Sequence, residues 1–322
     1  MSAREFWPGR RVLVTGGKGF VGRALLRELD TRGADDVISP SSVEYDLTVP
    51  GDVSRCFAET EPELVIHLAA RVGGIGANRE RPAELYLSNL LMGTYLIEEA
   101  HRRDTPKTVV VGTICSYPKH TPVPFREATF WDGYPEETNA PYGVAKKALL
   151  VHAQANREQY GQNAVYLMPT NLYGPGDKFH SAVSHVIPAL VKKFVEAHER
   201  RDGEVVVWGT GAATREFLFV DDAARGIALA AEHYNGGEPM NLGSGVELPI
   251  KELATIIADV VGFQGELVWD TTKPDGQPRR QLDTSFAAHE IGFEAATSFA
   301  DGLAQTVEWY LGHRDEAEAR DR

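Results

Sequence analysis

Hydrophobic positions in this 322-residue chain fall into short runs separated by longer stretches of helical periodicity. Val12-Leu13-Val14, within Arg11–Thr15, predicts a strand, and Val21, Leu25 and Leu29 recur at the spacing of one helix face. Further short runs follow at Val37-Ile38, Leu64–Leu68, Thr108–Val111 and Val165–Met168, each set off by a polar, helix-like stretch. Strands apolar on both faces that alternate with helices predict an α/β fold, a doubly wound parallel sheet covered by helices on each side.

After about residue 172 the texture changes. Gly174-Pro175-Gly176 breaks the pattern, Val186–Glu199 reads as a helix, Val205–Trp208 as a strand and Gly209-Thr210-Gly211 as a turn. Phe217–Val220 and the helix after Asp221-Asp222 predict a return to the first domain. Pro249–Val261 reads as a helix, Leu267–Trp269 as a strand and Phe299–Leu311 as a closing helix. The expected organisation is a dinucleotide-binding domain over 1–172 and about 217–247. A smaller C-terminal α/β lobe for substrate covers about 173–216 and 248–312, and a charged tail over 313–322 is expected to fray.

Composition removes several classes. A chain 43% hydrophobic and 25% charged is ordinary for a globular protein, so disorder is not expected. No run approaches the roughly 20 apolar residues of a membrane helix, and the polar start Met1–Arg10 shows no signal peptide. Two cysteines, Cys56 and Cys115, argue against a disulfide scaffold and for a reducing cytoplasm. A net charge of −13 without a basic stripe speaks against nucleic acid but leaves room for a small anionic ligand. No metal is called for.

Directly after the first strand comes Gly16-Gly17-Lys18-Gly19-Phe20-Val21-Gly22, readable as G-x-x-G-x-x-G from Gly16 or G-x-G-x-x-G from Gly17. Either way, glycine lets the chain turn tightly and admits a pyrophosphate to the free N–H groups of a helix start, the Rossmann arrangement. The second strand ends in Ser39-Pro40-Ser41-Ser42 with no carboxylate to grip a ribose 2′-hydroxyl. That hydroxyl-rich end, with Lys18 nearby, favours NADP(H), and NAD(H) stays open.

Tyr142 and Lys146 form a Tyr-x-x-x-Lys pair on one helix face. A lysine ammonium beside a phenol is expected to lower its pKa and ready it for proton transfer to a sugar oxygen. Thr113 and Cys115 follow the strand ending at Val111, where side chains project into the ligand crevice of such sheets. Thr113 is placed to hold a substrate oxygen, and Cys115 to take a proton from carbon beside a ketone. Cys56 reads as an inert core residue. Among ten histidines, His185 and His180 sit just beyond the Asn171–Pro175 segment, and His67 reads as core. The acid that matches Cys115 would be a histidine, and both of these are candidates.

Together these residues resemble the extended short-chain dehydrogenase/reductase family, and within it the GDP-L-fucose synthases. The most specific pieces are Val72–Ile75, Thr113–Lys119, Pro141–Lys146, Pro169–Pro175, Ser184–Pro188, Arg215–Leu218 and Lys273–Gly276. The resemblance implies that Cys115 and His185 serve as base and acid for epimerisation at C3 and C5 of a GDP-bound 4-keto sugar. It assigns Thr113, Tyr142 and Lys146 to reduction at C4 with NADPH. It implies a cofactor surface that adds Asp46, Leu47, Leu68, Ala69, Ala70, Val111, Gly112, Pro169, Asn171, Leu172 and His185 to the glycine loop, Ser39, Ser41, Ser42 and Lys146. Asn171, Lys193, Trp208, Arg215 and Asp275 match positions that hold nucleotide and sugar, and the family implies a homodimer built from two helices per subunit.

Three residues depart from the pattern. Ile114 replaces a hydroxyl residue, Lys193 an arginine that could grip a diphosphate as a fork, and Pro40 an arginine at the second strand end. Two other readings remain: an NAD(P)-dependent epimerase of another nucleotide sugar without net reduction, and a dinucleotide-binding sensor without catalysis. Dehydratase activity fits less well, because relatives with it carry Asp-Glu where this chain has Ile114-Cys115.

Overall fold

Every residue of β3 (Leu64–His67), β4 (Lys107–Val111) and β5 (Ala164–Pro169) is buried, as strands covered on both faces must be. The computed structural model describes residues 3–179, 184–273 and 275–319. With β1 (Arg11–Thr15), β2 (Asp36–Ile38) and β9 (Met240–Leu242) these strands form a six-stranded parallel sheet in the order β2-β1-β3-β4-β5-β9. The order reverses between β1 and β3, and in sheets of this kind the crevice at the reversal takes the ligand.

Helices Phe20–Thr31 and Val220–His233 cover one face, burying Leu25, Leu29, Ile227 and Ala231 against Val12, Val14 and Leu167. Helices Pro82–Arg102 and Ala140–Tyr160 cover the other, with Ile97, Leu149 and Leu150 on Val110 and Tyr166. Each buried leucine or isoleucine contributes on the order of 2 kcal/mol. The one buried lysine in the strands, Lys107, points its ammonium at the carbonyls of Ala230 and Ala231, 3.1 and 2.5 Å away, at the negative end of helix Val220–His233.

The remaining strands are β6 (Asn171–Tyr173), β7 (Glu204–Trp208), β8 (Thr214–Phe219), β10 (Glu247–Pro249) and β11 (Glu266–Asp270). β7 and β11 pair in parallel, and β10-β8-β6 make a second small sheet. Helices Val186–Arg200, Ile250–Val261 and Phe299–Gly312 enclose a separate core around Phe194, Val207, Ile257 and Leu303.

Three expectations need correction. Phe217–Val220 returns to the first domain only in part: β8 pairs with β10 and β6 and not with the central sheet, while the helix after it does pack on the first core. The alternating side chains of β8 serve both cores, Leu218 on the first and Phe217 and Phe219 on the second. Segment 285–293, expected in the second lobe, packs Ala287, Ile291 and Phe293 on the first core. The tail does not fray over 314–319, where a short helix buries Ala317 and Arg314 binds Glu199 at 2.7 Å. Among the described residues no helix is long and apolar enough to cross a membrane.

Candidate active site

A cavity of about 810 Å³ opens at the C-terminal ends of β1, β3 and β4. Its floor is the turn after β1. Gly16 adopts φ +77°, and a Cβ there would lie 2.7 Å from the Ala69 nitrogen. A Cβ at Gly22 would meet the Gly16 carbonyl at 2.2 Å, so helix Phe20–Thr31 reaches this close to the turn only with glycine. Gly19 caps that helix with no side-chain bond, which leaves its first N–H groups for an anion in the cavity.

All the expected cofactor residues line this cavity except Gly17 and Ser39. Gly17 instead makes room for Ser39, whose Oγ would lie 2.0 Å from a Cβ at that position. Ser39 Oγ is thereby buried with no hydrogen-bond partner among the described residues, and Gly16, Gly19 and Gly22 are the glycines that face the cavity. The second strand end, expected free of carboxylates, receives one from further round the turn, where Glu44 binds the Ser41 N–H and hydroxyl. The open helix start, and a set of donors already holding an oxyanion, fit a dinucleotide.

Thr113, Cys115, Tyr142, Lys146 and His185 line the same cavity. Thr113 Oγ1 accepts the Cys115 N–H at 3.2 Å and caps the short helix Ile114–Ser116. That turn is pressed on helix Ala140–Tyr160: Ser116 donates to the Gly143 carbonyl at 2.8 Å, and a Cβ at Gly143 would sit 2.5 Å from the Cys115 oxygen. Glycine after Tyr142 is therefore what brings phenol and thiol together. The Thr113 hydroxyl acts on the Tyr142 phenol by drawing its pKa down, a smaller effect than burial.

The lysine does not lower the phenol as its spacing predicts. Burial, with Cys115 adding to it, pushes the Tyr142 pKa above the ordinary phenol value. Lys146 instead donates to the Val111 carbonyl at 2.8 Å, and burial brings its own pKa down to about 8. His185 opens onto the cavity, where the protein around it and then the Lys178 ammonium hold its pKa below the usual imidazole value. His67 is core, bonded to Thr15 at 2.8 Å and pushed down to about 3 by burial and then by Lys146. His180 lies outside the described residues. Cys56 is buried, and burial pushes its thiol up to about 11.

Of the expected nucleotide and sugar residues, Asn171 lines the cavity and donates to the Glu216 carbonyl at 2.9 Å. The other four cluster beyond the cavity, around the ends of β7 and β8. Lys193 donates to the Val206 carbonyl at 2.6 Å, and Trp208 is 67% exposed with the Lys273 ammonium 5.6 Å from its ring. Asp275 accepts the Thr210 N–H and hydroxyl, both at 2.7 Å, and its carbonyl accepts from Arg215 at 3.3 Å. Burial and then Arg280 bring Arg215 down to about 10.

A model of the NAD dependent epimerase/dehydratase family matches residues 12–243. The chain belongs to this family. It is 45% identical over 301 residues to a putative GDP-L-fucose synthase 2 of Arabidopsis thaliana, covering 94% of this chain and 92% of that protein. It is 40% identical over 315 residues to a GDP-L-fucose synthase of Escherichia coli, covering 95% and 98%. Among solved structures, a GDP-L-fucose synthetase from Naegleria fowleri bound to NADP superposes with a TM-score of 0.89 at 27% identity over 95% of each chain.

Sequence reasoning missed Arg280, which joins the outer cluster of this family member to the cavity. Its Nη1 donates to Cys115 Sγ at 3.7 Å and its Nε to Gln277 at 2.7 Å. It also missed Glu216, a buried carboxyl raised to about 7 by burial, which accepts the N–H groups of Gly245 and Leu282 and so holds two loops beside Asn171. Neither role carries a local signal, because Glu216 finds Gly245 and Leu282 across 29 and 66 residues of chain and Arg280 finds Cys115 across 165.

Proposed function

We propose that this chain converts GDP-4-keto-6-deoxy-D-mannose to GDP-L-fucose by epimerisation at C3 and C5 followed by reduction at C4. One observation carries the reading: Thr113, Cys115, Tyr142, Lys146 and His185 line a single cavity that starts at the glycine loop. Relatives named GDP-L-fucose synthase at 45% and 40% identity support the choice of sugar and nucleotide. NADPH, when bound, supplies the hydride for C4.

The chain's own residues move protons and hold oxygens. A ketone at C4 acidifies the C–H bonds at C3 and C5. Cys115 is the base for those protons, and His185 the acid. Tyr142, kept protonated by burial, gives its proton to the C4 oxygen while Thr113 holds it. Arg215, Lys193 and Asp275 take the nucleotide and sugar, and the exposed face of Trp208 offers a base a stacking surface. We infer a cytoplasmic homodimer: helices Pro82–Arg102 and Ala140–Tyr160 lie side by side and expose Leu87 and Val151, 53% and 51% accessible, at positions where a second copy can cover them.

The test is to incubate GDP-4-keto-6-deoxy-D-mannose and NADPH with the chain in deuterated water, alongside dTDP- and UDP-linked 4-keto sugars. The expected product is GDP-L-fucose carrying deuterium at C3 and C5, formed as NADPH is consumed. No deuterium at either carbon removes the epimerase half, and unchanged NADPH absorbance removes the reductase half. Lys146 sets a further expectation, since its ammonium loses its proton at about pH 8 in the folded chain. The charge is present below that pH and lost above it, so kcat/KM should fall about tenfold per pH unit on the alkaline side. A profile flat through that range removes the ammonium from the mechanism.

A further inference from the structure

Three donors from two separate elements converge on one carboxylate oxygen at the edge of the cavity. The Ser41 N–H and hydroxyl reach Glu44 Oε2 at 2.6 and 2.7 Å. The Lys18 ammonium, from the glycine loop, lies 3.7 Å from the same oxygen. Ser41 and Lys18 line the cavity, and the Glu44 side chain is more than half exposed at 57%. An amide N–H, a hydroxyl and an ammonium make up the donor chemistry of a phosphate monoester site. The chain fills it with an oxyanion of its own.

Part of this arrangement is local. Ser41-Ser42-Val43-Glu44 is a turn closed by the reciprocal bonds of a capping box, with the Glu44 N–H returning to Ser41 Oγ at 3.4 Å. Capping accounts for the reciprocal bonds between Ser41 and Glu44. It does not account for Lys18, which comes from another element and is directed at the same oxygen.

We propose that Glu44 tunes cofactor choice, its carboxylate competing with the 2′-phosphate of NADP(H) for Ser41 and Lys18 and so weakening NADP(H) relative to NAD(H). This rests on the reading of the cavity as a dinucleotide site. A 2′-phosphate brings close to two negative charges to donors that already hold one. The 2′-hydroxyl of NAD(H) is neutral, needs no such displacement and can donate to a carboxylate. Pro40 gives no cation at this strand end, so Lys18 is the charge the two anions share.

The test is the dissociation constants of NADPH and NADH, measured by tryptophan fluorescence quenching on the full chain and on Glu44→Gln. Glutamine preserves the capping box and removes only the charge. NADPH should bind about three- to tenfold more tightly to Glu44→Gln. NADH should stay within about twofold or weaken, and the gain for NADPH should shrink in high salt. Lys18→Met should weaken NADPH in both backgrounds, because it removes the cation that either anion uses. An unchanged NADPH-to-NADH ratio in a folded Glu44→Gln chain overturns the proposal and leaves the dinucleotide reading intact. A parent chain that binds neither dinucleotide overturns both.

Discussion

Replacing Tyr142 by phenylalanine is expected to slow reduction at C4 by about 10²- to 10⁴-fold, the range for loss of a positioned proton donor. Burial keeps the phenol protonated well past neutral pH, so it has a proton to give throughout the physiological range. Phenylalanine fills the same space. Thr113 Oγ1 keeps its bond from the Cys115 N–H, so the turn at Ile114–Ser116 should hold its shape and stability should change by less than about 1.5 kcal/mol. Exchange at C3 and C5 should survive in part, since Cys115 and His185 are untouched. NADPH consumption and deuterium uptake, followed in the same sample, separate the two effects. Reduction within about tenfold of the parent means that the proton comes from another group.

Cys115→Ser is the complementary case: deuterium exchange should fall by at least about 10²-fold while NADPH binding is unchanged. A thiol ionises within reach of neutral pH, as a general base on carbon requires, and an aliphatic hydroxyl does not. The substitution is nearly isosteric. The Thr113 cap bonds the backbone of residue 115, so the turn survives the change, and the Arg280 guanidinium, 3.7 Å from sulfur in the parent, faces the new hydroxyl. Mass analysis of recovered sugar nucleotide reads the exchange directly. Equal exchange in variant and parent removes Cys115 from the proton chemistry and shifts attention to the other groups at the cavity wall.

Much of the central sheet was legible because its strands are apolar on both faces and long enough to show it. β1, β3, β4 and β5 each run four to six residues, and the helices after them carry a clear apolar face. β6, β9 and β10 have three residues each, too few for any period to register, and pattern reading missed them, whereas β2, equally short, showed through its apolar pair Val37-Ile38. β8 misled for a related reason. Phe217, Leu218 and Phe219 form a continuous apolar run like those of the central sheet, yet the strand is apolar throughout because it separates two cores.

The placement of the candidate site side chains at the cavity followed from sequence, since a side chain at the end of a parallel strand, or at a fixed offset on a helix, has its direction set by the local backbone. Thr113, Cys115, Tyr142, Lys146 and the glycine loop are of that kind. Their electrostatics were decided by the tertiary structure. Whether Lys146 or burial governs the Tyr142 phenol, whether Gly17 faces a ligand or Ser39, and which carboxylate returns to Ser41 all depend on what distant segments bring alongside. Desolvation and charge act through space, and proximity in space is settled only once β4, the turn after β2 and the helix carrying Tyr142 have packed together.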